Sequence, residues 1–142
     1  MAENIVQIIE VDLTKNPSVT VKCEGLVFCY YKFTFIQPGN VFLEIEDGNI
    51  EDRNHPKITD IDPNEASDTY KLSECLKDRE GFVKMRWYVE IASTQSQGDI
   101  YDFSISYQEE GGAANILSRY TQDDPGHKLF REEDHSVNFF VI

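Results

Sequence analysis

The sequence lacks the features of exported and membrane-spanning proteins. No apolar run approaches the ~20 residues of a transmembrane helix. The segment from Met1 to Asn4 has neither the basic start nor the apolar stretch of a signal peptide. There is no Asn-x-Ser/Thr glycosylation site either, because Asn16-Pro17-Ser18 carries the forbidden proline. We therefore predict a cytoplasmic protein without a membrane span.

Cysteine is scarce and its pattern is uninformative. Cys23, Cys29 and Cys75 contain no Cys-x-x-Cys, and the spacing of the first two fits no common zinc site. An odd number of cysteines also prevents complete pairing within one chain. Because free cysteine behaves as a small hydrophobic residue, we predict buried, inert thiols.

Catalytic signatures are missing as well. The chain has no Gly-x-Ser-x-Gly and no glycine-rich phosphate-binding loop. Asp99 and Asp102, with Glu90 on a strand predicted to be their neighbour, resemble a glycosidase carboxylate pair. Acidic residues on strands arise easily by chance in so acidic a chain. We therefore predict a protein that is not an enzyme, with calcium as the one cofactor to consider.

Basic residues are few relative to acidic ones. Thirteen Lys and Arg against 26 Asp and Glu leave a net charge of −13 and a pI near 4.5. Such a field repels nucleic acids and anionic lipid, and it attracts cations and basic protein surfaces. We predict no direct nucleic-acid binding, although acidity of this kind also serves solubility alone.

Apolar and polar residues alternate with the period of β-strands over most of the chain, and helical periodicity is scarce. One short helix or turn is predicted at 71–77, capped by Ser67 or Asp68. Gln37-Pro38-Gly39-Asn40 predicts a hairpin turn, and a C-terminal strand runs from Val137 to Ile142. Residues 1–142 are predicted to form a single all-β domain. Its predicted fold is an antiparallel β-sandwich of about seven to eight strands, jelly-roll or immunoglobulin-like, with long acidic loops and little helix.

Two strands in the middle of the chain have the clearest alternation. Between Phe82 and Ala92 the odd-numbered residues are apolar, and between Tyr101 and Gln108 they are apolar or aromatic. We expect both sets to face the core, and the two strands to pair as an antiparallel hairpin with one solvated face.

Several aromatic residues have the parity opposite to the predicted core. Tyr30, Phe42 and Tyr88, and also Phe140, would then point away from it. Exposed rings on a flat sheet stack on sugars or contact a partner protein, whereas a covering layer would bury them. Tyr30, Phe42 and Tyr88 are the predicted ligand-binding residues.

Residues 47–68 form a long acidic loop in which Asp60, Asp62, Asn64 and Glu65 space oxygen ligands as calcium requires. The segment is not an EF-hand, because its sixth position is Glu65 and its twelfth is Lys71. Calcium sites on β-sandwich loops follow looser patterns, so these four residues are the predicted metal ligands.

Three functions fit these observations. The leading one is a non-catalytic interaction module that binds another protein or self-associates, because residues 26–36 and the C-terminal strand are apolar on both faces. The first alternative is a calcium-assisted, lectin-like domain that binds carbohydrate through the 47–68 loop. The second is an acidic mimic of nucleic acid that inhibits a basic partner.

Overall fold

The computed structural model describes residues 7–25, 27–46, 49–51, 67–93, 101–122 and 129–142. These residues form ten strands, one short helix and one 3-10 turn. The strands are β1 Ile8–Val11, β2 Ser18–Gly25, β3 Val27–Ile36, β4 Val41–Glu46, β5 Asn49–Glu51, β6 Ser67–Lys71, β7 Gly81–Ser93, β8 Tyr101–Gln108, β9 Asn115–Gln122 and β10 Leu129–Val141. The helix α1 spans Leu72–Cys75 and the 3-10 turn spans Leu13–Lys15.

The strands form a six-stranded and a four-stranded sheet. The larger sheet has the order β1-β10-β7-β3-β4-β5, and the smaller one has the order β6-β2-β8-β9. Only β1 and β10 pair in parallel among the described strands. The all-β sandwich is confirmed, with more strands than predicted.

The core lies between the two sheets and is built from alternate residues of each strand. The odd-numbered residues from Val83 to Ile91 and from Tyr101 to Tyr107 are buried, which confirms the predicted inward faces. Phe139 and Val141 of the C-terminal strand are buried too, as predicted. Since removing apolar surface from water is the main driving force of folding, this shared layer stabilises the sandwich.

The predicted hairpin between β7 and β8 is wrong. β7 pairs with β3 and β10 in the larger sheet, whereas β8 pairs with β2 and β9 in the smaller one. Alternation shows which side of a strand meets the core, but that signal is the same in both sheets. Glu90 and Asp102 consequently face outward on opposite sides of the sandwich, so they are no carboxylate pair, and Asp99 lies outside the described residues.

Of the two local predictions, the hairpin turn is confirmed and the helix cap is not. The hairpin turn is confirmed: Gln37 N donates to Asn40 O at 2.9 Å, and Gly39 adopts the positive φ of 77° that favours glycine. The predicted helix cap is wrong, because Ser67 and Asp68 belong to β6 and α1 has no side-chain cap. Instead, Leu72 N donates to Pro17 O at 3.0 Å.

Two polar links join the sheets through the core. The buried Tyr31 hydroxyl donates to Asp68 Oδ2 at 2.7 Å and also shares a hydrogen bond with the Tyr70 hydroxyl. Burial, followed by these hydrogen bonds, raises the pKa of Tyr31 far above its usual range. The second link runs from Trp87 Nε1 to the Tyr120 hydroxyl at 3.1 Å. Each link ties a residue of the larger sheet to a strand of the smaller one.

The cysteine prediction is half right. Cys75 is a buried free thiol, and burial raises its pKa. Cys23, in contrast, is disulfide-bonded, which spacing along the chain does not reveal because a disulfide depends on distance in the folded structure.

Among the residues that the structure describes, no helix has both the length and the apolar character needed to cross a bilayer.

Candidate functional site

Each sheet has one side that points away from the core, and the two sides differ in composition. We call the outward side of the six-stranded sheet the front face and that of the four-stranded sheet the back face. The back face carries hydroxyl and charged side chains: Ser18, Thr20, Lys22, Glu24, Thr69, Lys71, Asp102, Ser104, Ser106, Gln108, Arg119 and Thr121. Ile116 is its one exposed large apolar residue among those described.

The polar groups of the back face satisfy one another locally. Thr20 and Thr69 share a hydrogen bond between their hydroxyls at 3.0 Å. Arg119 holds Asp102 with two hydrogen bonds of 2.6 and 3.0 Å, which lowers the pKa of that carboxyl. Such a surface of short, paired side chains is suited to contact with water.

The front face carries an apolar patch where β1, β7 and β10 lie side by side. We define the apolar patch as Ile8, Phe82, Phe140 and Ile142, whose side chains are 57, 60, 37 and 61% exposed. Phe82 and Phe140 are direct cross-strand partners, with ring centroids 4.9 Å apart. Ile142 continues β10, since its N–H donates to Val11 O at 3.0 Å. Large exposed apolar residues grouped at one end of a sheet face are a feature of interaction surfaces.

Two of the predicted ligand-binding residues meet further along the same face. Tyr30 of β3 and Tyr88 of β7 pack edge to face with ring centroids 5.9 Å apart. The Tyr30 hydroxyl donates to Glu46 Oε1 and the Tyr88 hydroxyl donates to Glu90 Oε2, both at 2.6 Å. These contacts fix the orientation of both rings on the half-buried sheet surface.

The third predicted aromatic, Phe42, does not lie on this face. It is buried, with its ring 6.2 Å from that of Phe35 and the Arg79 guanidinium 3.8 Å above it. The register of β3 and β4 shifts between Phe35 and Ile36, and this irregularity turns Phe42 inward against the alternation. The prediction that Phe42 points away from the core is therefore wrong.

Between the apolar patch and the tyrosine pair lies a groove of about 410 Å³. Its lining comes from three adjacent strands and consists of Lys32, Thr34, Val41, Glu44, Arg86, Trp87 and Tyr88. Lys32 Nζ lies 3.6 Å from Glu44 Oε1, and Thr34 forms the buried floor at 7% exposure. Charged, hydroxyl and aromatic groups thus surround one open depression.

The predicted calcium ligands Asp60, Asp62, Asn64 and Glu65 lie outside the described residues. Within the described ranges, no three His, Cys, Asp or Glu side chains are grouped as a metal site. Calcium binding stays a prediction.

Sequence reasoning found Phe140 of the apolar patch among the outward-pointing aromatic residues, but it missed Phe82, Ile8 and Ile142 and gave Arg86 no role. Phe82 and Tyr88 are both even-numbered residues of β7, so the alternation that placed Tyr88 on the outward side also predicts that Phe82 points outward. What no local pattern contains is the pairing of Phe82 with Phe140, which are far apart along the chain.

No protein-family model, curated protein or solved structure matches this chain.

Proposed function

We propose that the protein is a non-catalytic interaction module that self-associates through the apolar patch on its front face. The observation that carries this proposal is the asymmetry between the two faces. Four large apolar side chains cluster at one end of the front face, whereas the described back face has Ile116 alone. Folding requires only that each strand has an apolar inward side, so the patch needs a different explanation.

The composition of the patch is that of an interface centre. Aromatic residues are enriched in protein interfaces, and burying a cross-strand aromatic pair against a partner removes a large apolar area from water. A two-fold arrangement would place the Phe82 and Phe140 rings of one copy against the same rings of the other. Charged and polar groups border the pair: Glu10 lies opposite Phe140, and Lys84 lies opposite Asn138.

The net charge sets a condition on this association. Two copies at −13 each repel one another at long range. Close to the patch the charges have both signs, and a two-fold contact can bring Lys84 of one copy near Glu10 of the other. Salt screens the long-range repulsion, so self-association should strengthen with ionic strength, whereas binding to a basic partner should weaken.

The test is analytical ultracentrifugation of the purified chain over a wide concentration range, at about 0.02 M and about 0.3 M salt. We expect the mass to rise from monomer towards dimer with concentration, and at lower concentration in the higher salt. A monomer at every concentration in both salts would overturn self-association.

Two earlier expectations stay predictions. No contact of the described residues favours the acidic mimic, since their acidic groups on the two faces alternate with cations and hydroxyls. The cytoplasmic location is opposed by one observation, the disulfide at Cys23, because disulfides persist mainly in oxidising compartments.

A further inference from the structure

We propose that the front-face groove binds the carboxylate of an acidic sugar, with Arg86 as the anion-binding residue. This inference is independent of self-association, because it rests on the groove and its charges and not on the apolar patch.

Arg86 is the first observation. It is exposed, lines the groove, and has no acidic partner among the described residues, although the chain has twice as many acids as bases. The described Arg119, in contrast, is held by Asp102 with two hydrogen bonds. An arginine guanidinium presents a planar fork that matches a carboxylate with two parallel hydrogen bonds.

Two lysines lie near Arg86 on the same face. Lys84 lies two residues earlier on the same side of β7, and Thr34 is the direct cross-strand partner of Arg86. Lys32 lies two pairs further along, opposite Tyr88, and is the third cation of this area. Of these, Lys32 is paired with Glu44, while Lys84 and Arg86 form no ion pair with a described residue.

The surrounding acids limit the kind of anion that fits. Glu44 lines the groove, and Glu46 and Glu90 lie beyond it as acceptors for the two tyrosine hydroxyls. A phosphate with its higher charge would be repelled more strongly by these carboxylates and by the whole acidic chain than a monoanion. A single carboxylate suits Arg86, which lines the groove and forms no ion pair with a described residue.

The remaining lining suits the hydroxylated ring of a sugar. Glu44 offers acceptor oxygens for sugar hydroxyls, Thr34 offers a hydroxyl, and Tyr88 and Val41 offer apolar surface. The groove volume of about 410 Å³ falls within the range of small-molecule sites. Because the groove is open, we expect weak, millimolar binding of one sugar unit, which corresponds to about −4 kcal/mol.

The test is a titration of isotope-labelled protein with sodium glucuronate, followed by two-dimensional NMR at constant ionic strength. Glucose and inorganic phosphate serve as the neutral and the more highly charged probes. We expect saturable shifts of the amides of β3, β4 and β7 with glucuronate, and at least tenfold weaker binding of glucose and phosphate.

The variant Arg86→Gln should weaken glucuronate binding at least tenfold, because it removes the guanidinium from an exposed position where the fold does not depend on it. Lys22→Gln is the matched control: it removes one cation of the back face and should leave binding unchanged. Equal binding of glucose, equal binding of phosphate, equal loss in both variants, or no shift with glucuronate would each overturn the proposal.

Discussion

The front and back faces belong to the same sandwich and cover the same core, yet they differ in composition. On the back face, short hydroxyl side chains and ion pairs occupy the outward positions, as in the contact between Thr20 and Thr69. On the front face, the equivalent positions hold the exposed rings of Phe82 and Phe140, and also Arg86, which forms no ion pair with a described residue.

The back face shows what the fold alone requires. Threonine and charged residues fit a pleated surface with one side in water, and they keep it soluble. The front face has exposed apolar rings in place of such polar residues, although its strands are equally well buried on their inner side. The difference between the two faces therefore supports the proposed self-association through the front face.

The largest effect on stability is expected from alanine substitutions at two neighbouring residues of β10, one facing the core and the other facing outward. Phe139 is fully buried, with its ring 6.0 Å from that of Tyr107, whereas Phe140 is 37% exposed. Phe139→Ala should cost about 3–5 kcal/mol of unfolding free energy through the cavity it leaves. Phe140→Ala should cost less than about 1.5 kcal/mol, mainly through its contact with Phe82.

Urea unfolding of both variants at low protein concentration measures these losses. If the two losses were equal, Phe140 would be as covered as Phe139, and the front face would not be open. A loss for Phe140→Ala that grows with protein concentration would indicate that a second copy covers it.

The next effect concerns association. Replacing Phe82 and Phe140 together by serine should weaken the dimer by about 2–4 kcal/mol, roughly 30- to 1000-fold in dissociation constant. Ile116→Ser is the control, since Ile116 is a comparably exposed apolar residue of the back face at 55%. Sedimentation of the wild type and the two variants measures the dimer dissociation constant of each. If Ile116→Ser weakened the dimer as much as the double change does, the dimer contact would not be specific to the front face.

What could be predicted from the sequence follows the range of the interactions concerned. The inward residues of β7, β8 and the end of β10 were predicted correctly, because side-chain alternation is a local property of a strand. The sheet to which a strand belongs is set by pairing with distant segments. For that reason β7 and β8 were wrongly paired.

The site was predictable to the same extent. Tyr30 and Tyr88 were chosen by parity alone, and they do meet on the front face. The prediction for Phe42 was wrong because an irregularity in the register of β3 and β4 reverses the alternation locally. A polar edge strand such as β9, in turn, gives little apolar signal from which to predict it. The groove exists only because the β3–β4 hairpin lies beside β7, which is distant along the chain.

A smaller loss of unfolding free energy is expected when the hydroxyl of a buried tyrosine is removed, and the loss should differ between the two sheets. Tyr31 of the larger sheet bonds to Asp68 and Tyr70, so Tyr31→Phe should cost about 1–3 kcal/mol. Burial raises the pKa of Tyr31 above its ordinary 10.0, so the folded state favours the neutral hydroxyl. The stability that the neutral Tyr31 hydroxyl provides is therefore complete below pH 10.0. It is lost progressively above pH 10.0, because this hydroxyl then ionises in the unfolded chain but stays neutral in the folded one.

Urea unfolding at neutral pH and at about pH 10.5 tests both parts of this prediction. Wild type should lose more stability on going to alkaline pH than Tyr31→Phe does. The comparison is needed because burial also raises the pKa of Tyr101, Tyr107 and Cys75, which weakens both proteins in alkali. Equal losses would show that the Tyr31 hydroxyl does not stabilise the link between the sheets.

The smallest effect is expected at Tyr107 of the four-stranded sheet. Its hydroxyl oxygen is buried and has no hydrogen-bond partner among the described residues. A buried hydroxyl without a partner loses its bonds to water and gains none, so Tyr107→Phe should leave the unfolding free energy unchanged within about 0.5 kcal/mol or raise it. The same substitution at Tyr31 is the control. A loss above about 1 kcal/mol for Tyr107→Phe would mean that this hydroxyl is hydrogen-bonded in the folded protein after all.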